Sequence, residues 1–223
     1  MIDINLIWIL SVVIFLLSFL GVILTAKIFT KPFDGIDFSF LRVFPSEVIQ
    51  NTDKQSIIYK LCLYIFSFIC FSPCFVIIGN NFSPLFLLVS ILFGMSGISF
   101  LFLNVFGPSH VKVHLILFVL FACLTFLSCL TACFAILLLK DNPNADSNYA
   151  VVIAKAICVA IVSIFELILM LNPKLKKWAQ LDKISGSEST YVRPKKFPLA
   201  YSEWATFLLL VVGEFIFFLG LIK

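Results

Sequence analysis

Long apolar runs broken by short polar punctuation dominate this chain, and none of them alternates polar and apolar residues as a strand with one wet face would. Six runs, at residues 6–26, 57–78, 85–106, 113–139, 150–171 and 204–222, are each long enough to cross a bilayer with some tilt. Backbone groups inside lipid must find their hydrogen bonds within the segment or in a closed barrel, and continuous apolar runs favour the helix. The pattern therefore predicts an all-α, polytopic membrane helix bundle of about six transmembrane helices, forming one domain over residues 1–223.

Breaks fall where turn chemistry expects them. Gly79, Asn80, Asn81 and Pro84 separate spans two and three, Gly107 and Pro108 precede span four, and Asn142 and Pro143 precede span five. These short links make spans two to five antiparallel neighbours. Longer polar loops at residues 27–56 and 172–203 tie on the first and last spans. Pro73 is expected to kink span two, and Pro45 to open a short helix within the first loop. That loop carries Phe38, Phe40, Leu41, Phe44, Val48 and Ile49, too apolar a set for a free linker, so it should pack on the bundle or lie at the interface. Small residues such as Gly94, Gly97, Ala132 and Ala156 mark places of close helix approach.

Composition agrees with a bilayer as the solvent. Hydrophobic residues make up 61% of the 223 and charged residues 13%, and the mean hydropathy is +1.12. A water-soluble core of this length cannot enclose so much apolar surface. The 7 cysteines all lie inside apolar runs, where they act as small hydrophobes and not as a disulfide framework. No basic region precedes the first span and no small-residue site closes it, so it is expected to remain in the mature protein.

Charge adds orientation. Lys27, Lys31, Arg42, Lys54 and Lys60 flank the first loop, Lys112 the third, and Lys174, Lys176, Lys177, Lys183, Arg193, Lys195 and Lys196 the fifth; the opposite side has Lys140 and Lys223. By the positive-inside rule, loops 27–56 and 172–203 face the cytoplasm and both termini are non-cytoplasmic. A cell membrane, plasma or bacterial inner, is the expected location. In the fifth loop Leu175, Trp178, Leu181 and Ile184 suit a short interfacial helix, and Pro194 and Pro198 are expected to prevent regular helix beyond it. Lys174, Lys176, Lys177, Arg193, Lys195 and Lys196 form the expected contact with anionic lipid headgroups.

Three intramembrane charges, Lys155, Glu166 and Glu214, are the candidate site, because an ionised group near mid-bilayer costs at least a few kcal/mol. Lys155 and Glu166 share one helix face, since eleven residues at 100° return to within about 20°. Glu203 and Glu214 repeat that spacing on span six. Antiparallel packing would then allow a Lys155–Glu214 ion pair, with Glu166 towards Glu203 or a loop lysine. The pair could instead only fix helix register, or the charges could snorkel to a surface. Spans one to four read as scaffold.

Weaker signals point elsewhere. Cys70 with Cys74, Cys129 with Cys133, and His110 with His114 each have the i, i+4 spacing of a metal pair, but buried cysteine and interfacial histidine are commoner uses of these residues. No metal or other cofactor is expected. The chain lacks a phosphate-binding glycine loop, an HExxH zinc motif and a serine elbow, so it is not expected to be an enzyme. Nothing suggests nucleic-acid binding. The function expected first is association, as an accessory, assembly or lipid-interacting subunit with a membrane-protein partner or a second copy. A small transporter or channel lined by the charges of spans five and six is the alternative.

Overall fold

The computed structural model of the chain describes residues 4–29, 38–50, 55–79, 83–107, 110–138, 149–173, 175 and 196–221. Among these residues there are helices and no strands: α1 Ile4–Phe29, α2 Pro45–Gln50, α3 Gln55–Ile69, α4 Ser72–Gly79, α5 Pro84–Val105, α6 Val111–Leu138, α7 Tyr149–Met170 and α8 Pro198–Gly220. Six helices are long and apolar enough to cross a membrane, so the chain is an all-α bundle of the multi-pass membrane type.

The expected spans are recovered, with two changes of boundary. Span two is broken at Cys70 and Phe71, and α4 restarts with Pro73 in its first turn, where the missing N–H would have had no helical partner. The last helix begins at Pro198, six residues before the expected 204. Pro198 was expected to interrupt helix, but it occupies the first position behind Phe197, whose extended backbone serves as the N-cap. A preset φ and an N–H that would be orphaned anyway suit proline to that place. The interfacial helix expected around Trp178 lies outside the described residues.

The sixth spanning helix, α8, stands in the middle of the others. It contacts α7, α6, α5, α1 and α2, and 61% of its apolar window is buried, against 28% for α1. Around it α1 packs on α3, α3 on α5, α5 on α6 and α6 on α7. The centre is largely aromatic. Phe207 of α8 stacks on Phe100 of α5 at 4.3 Å and meets Phe66 of α3 at 5.0 Å; Phe218 meets Trp8 of α1 at 4.6 Å and Phe15 at 5.4 Å. Lipid tails are as apolar as these rings, so shape and contact rather than water exclusion hold the helices together.

Hydroxyl groups are mostly satisfied inside their own helices. Ser67, Ser90, Ser128 and Ser163 each donate to the carbonyl four residues back. Between helices, Ser96 of α5 and Thr125 of α6 share a 2.6 Å hydrogen bond. Glycine lets the backbones close up. A Cβ at Gly213 would overlap the Cys129 sulfur, and one at Gly94 would overlap the Phe71 ring.

Gly213→Ala should therefore destabilise the bundle by about 1–3 kcal/mol, the usual range for overpacking. Thermal unfolding in detergent should place its midpoint below that of the parent protein. Adding Cys129→Ala should restore most of the loss, and an additive double variant would show that the contact is unimportant.

Candidate functional site

Residues 38–50 fold back over one end of the bundle. Phe38 and Phe40 pack edge-on against Trp204, whose indole N–H donates to the Val43 carbonyl at 2.8 Å. The Phe197 N–H donates to the Leu41 carbonyl at 2.7 Å, and Phe44 and Val48 are buried in the core. At the start of α2 the Glu47 carboxylate accepts the Phe44 N–H at 2.8 Å, the reach-back half of a capping box. Residues 38–50 thus belong to the bundle, as their apolar side chains implied.

Beneath this segment lies a buried polar cluster drawn from five elements. His114 of α6 contacts Glu203 of α8 through Nε2 and Oε1 at 2.8 Å, with both side chains fully enclosed. His114 Nδ1 meets the Phe106 carbonyl at 2.9 Å. A carbonyl only accepts, so Nδ1 carries a proton, and the contact with Glu203 needs a second proton shared between imidazole and carboxyl. The Phe44 ring stands edge-on to the imidazole at 5.5 Å, and Glu47 is within electrostatic range of both His114 and Glu203. Alongside, the Tyr59 hydroxyl of α3 donates to Asn104 Oδ1 of α5 at 2.9 Å, with the Pro45 carbonyl at 3.3 Å.

The other two buried acids also face α8 or belong to it. Thr206, one turn beyond Glu203, donates to Glu166 Oε1 of α7 at 2.9 Å. Glu214 lies about 12 Å further along the helix, next to Gly213. Neither Glu214 oxygen has hydrogen-bond geometry to a partner, although the Cys70 thiol is close enough to interact with it. Cys129, packed on Gly213, is in electrostatic range of both Glu166 and Glu214. Among the described residues, Glu166 Oε2, Glu203 Oε2 and both Glu214 oxygens are buried without a hydrogen bond, as are Trp8 Nε1, Ser46 Oγ and Ser72 Oγ. No group of three or more metal-ligating side chains is assembled among those residues.

The expected Lys155–Glu214 ion pair does not form. Lys155 instead donates from Nζ to the Leu219 carbonyl at 2.8 Å, satisfying one of the last carbonyls of α8. Leu219 is five residues beyond Glu214, about 140° around the helix, so a side chain reaching one cannot meet the other. Glu214 turns instead towards Cys70, in the break after α3, and is in range of Cys129 of α6. Spans one to four also bring polar groups to the centre: α3 supplies Tyr59, the break after it Cys70, α5 Asn104, and α6 His114 and Cys129. Of the basic residues in the fifth loop, Lys196 is described and exposed; Lys174, Lys176, Lys177, Arg193 and Lys195 lie outside the described residues.

Glu203 and His114 both appear in the sequence as residues at the edge of a span, and nothing local pairs them. His110 and His114 do not act together: His110 is exposed and His114 is buried. No family model matches the chain, and neither the curated proteins nor the solved structures contain a match.

Two substitutions separate the roles of these groups. Lys155→Met should cost no more than about 1 kcal/mol, the net value of an ordinary hydrogen bond, whereas loss of one partner of a buried ion pair costs about 3–5 kcal/mol. Tyr59→Phe should cost about 1–3 kcal/mol, because it leaves the buried Asn104 oxygen without its donor. Unfolding of both variants in the same detergent would give the comparison; a Lys155→Met loss larger than that of Tyr59→Phe would contradict it.

Proposed function

We propose that the protein is a small transporter or channel that moves a cation, at its simplest a proton, along the carboxyl groups gathered around α8. One observation carries this reading: Glu203, Glu166 and Glu214 are fully buried beside a single helix, and each has an oxygen without a hydrogen bond. An uncompensated carboxylate in such a place costs several kcal/mol, so each group takes up a proton or keeps a cation close. Three of them in file offer successive stations.

Glu203 shares its proton with His114 at the end covered by residues 38–50, and Glu166 is held by Thr206 about 4.5 Å further along α8. The step from there to Glu214 exceeds the reach of a hydrogen bond. It needs water, or the hydration shell of the moving ion, passing the Cys129 thiol. Association as the main role is less well supported, because residues 38–50 of the first of its two expected contact loops are packed on the protein's own core. The basic flanking residues support a cytoplasmic position for the covered end and contact of Lys196 and its basic neighbours with anionic headgroups.

The test is flux through purified protein in vesicles enclosing a pH-sensitive dye, driven by a potassium diffusion potential. The parent protein should acidify or alkalinise the lumen faster than empty vesicles do, and Glu214→Gln and Glu166→Gln should each slow it at least tenfold while leaving the protein folded. Flux equal to that of empty vesicles with protons, sodium and potassium alike, or full activity in both variants, would overturn the proposal.

A further inference from the structure

We propose that the His114–Glu203 contact is a proton-operated latch that holds residues 38–50 closed over the end of the bundle. The inference goes beyond the transport reading and stands without it, because it concerns the position of this segment rather than the movement of any solute.

The argument is one of donors and acceptors. Nδ1 of His114 is committed as a donor to the Phe106 carbonyl, which leaves Nε2 facing Glu203 Oε1 at 2.8 Å. With one proton between them the contact is favourable in either form, imidazolium with carboxylate or imidazole with carboxylic acid. Without it the neutral imidazole has one N–H for two contacts: either Nε2 and the Glu203 carboxylate confront each other as lone pairs, or the proton moves to Nε2 and Nδ1 loses the Phe106 carbonyl. One of the two contacts must then break, and the imidazole on which Phe44 rests shifts with it. Extra protonation does not have this effect, since a second proton can sit on Glu203 Oε2 while Oε1 goes on accepting.

The segment is seated where such a movement would be felt. Phe44 rests edge-on against the His114 ring and packs on Phe197 at 5.2 Å. Trp204, the residue after Glu203, holds the Val43 carbonyl and the rings of Phe38 and Phe40. Titratable groups facing the pair from neighbouring elements are Glu47 of α2, in range of both partners, and Tyr59 of α3, in range of Glu203. From α7, Glu166 is bonded one helical turn away at Thr206. Glu47, which accepts the Phe44 N–H, stands beside the pair and adds to the repulsion once the bridging proton leaves. The segment is therefore closed while the bridge holds its proton, and released when the proton is withdrawn.

Amide hydrogen exchange of the full-length protein in lipid nanodiscs, measured between pH 5 and pH 10 and corrected for the intrinsic pH dependence of exchange, tests the latch. Protection of residues 38–50 should fall at least tenfold over part of that range, with α5 as the unchanged internal reference. Glu203→Gln supplies a permanent N–H donor to His114 Nε2, so its segment should stay protected throughout. If that variant fails to fold, His114→Gln, which presents a fixed donor to Glu203, gives the same expectation. Constant protection in the parent protein, or a fall of the same size in a folded glutamine variant, would overturn the proposal.

Discussion

A bilayer supplies no water to a side chain in mid-span, so a helix that carries acids has to be enclosed by other helices. In this protein that requirement sets the arrangement. α8 bears Glu203 and Glu214 and a Thr206 that binds Glu166, and it is the spanning helix with the largest buried share. The helices around it turn Leu, Ile, Val and Phe outward, as a lipid-facing surface demands. Where α8 meets its neighbours, rings and small residues do the packing, and glycine at 213 lets the Cys129 sulfur come close to the backbone.

The two ends of α8 are finished differently. At the Pro198 end residues 38–50 cover the helix, and the side chains beneath form two hydrogen-bonded pairs, Tyr59 with Asn104 and His114 with Glu203. At the Gly220 end a lysine from α7 supplies the missing donor to a terminal carbonyl. Glu214, between these ends, has neither arrangement. Its two bare oxygens against the Cys70 thiol are the least satisfied polar group described in the bundle.

The spans were legible because length and hydropathy alone decide them, and proline marked the start of α2 and the break before α4. Misplacement of the last helix start came from treating Pro198 as a breaker when its position, just inside the helix, made it an initiator. The facing of the helices was not legible. Spans apolar around their whole circumference give no stripe to say which side turns inward, so partners distant in the chain stay hidden. His114 and Glu203 are 89 residues apart, and Tyr59 and Asn104 are 45 apart. The same lack of a facing signal produced the Lys155–Glu214 pair, for which axial level was right to within a turn or two and azimuth was wrong. Glu166 and Glu214 could be singled out by the cost of their charge, a quantity that needs no knowledge of neighbours, and both are buried.

The central position of α8 also bears on how the molecule is built. Segments reach the membrane in chain order, so α1, α3, α5, α6 and α7 are inserted before the helix they surround has been synthesised. Until it arrives, Phe100, Phe66, Phe15 and His114 lack part of the surface they pack on, although the earlier helices already have one another to pack against. α8 is thus the keystone of the described bundle: every helix it joins precedes it in the chain, and the polar centre is complete only once it has been synthesised.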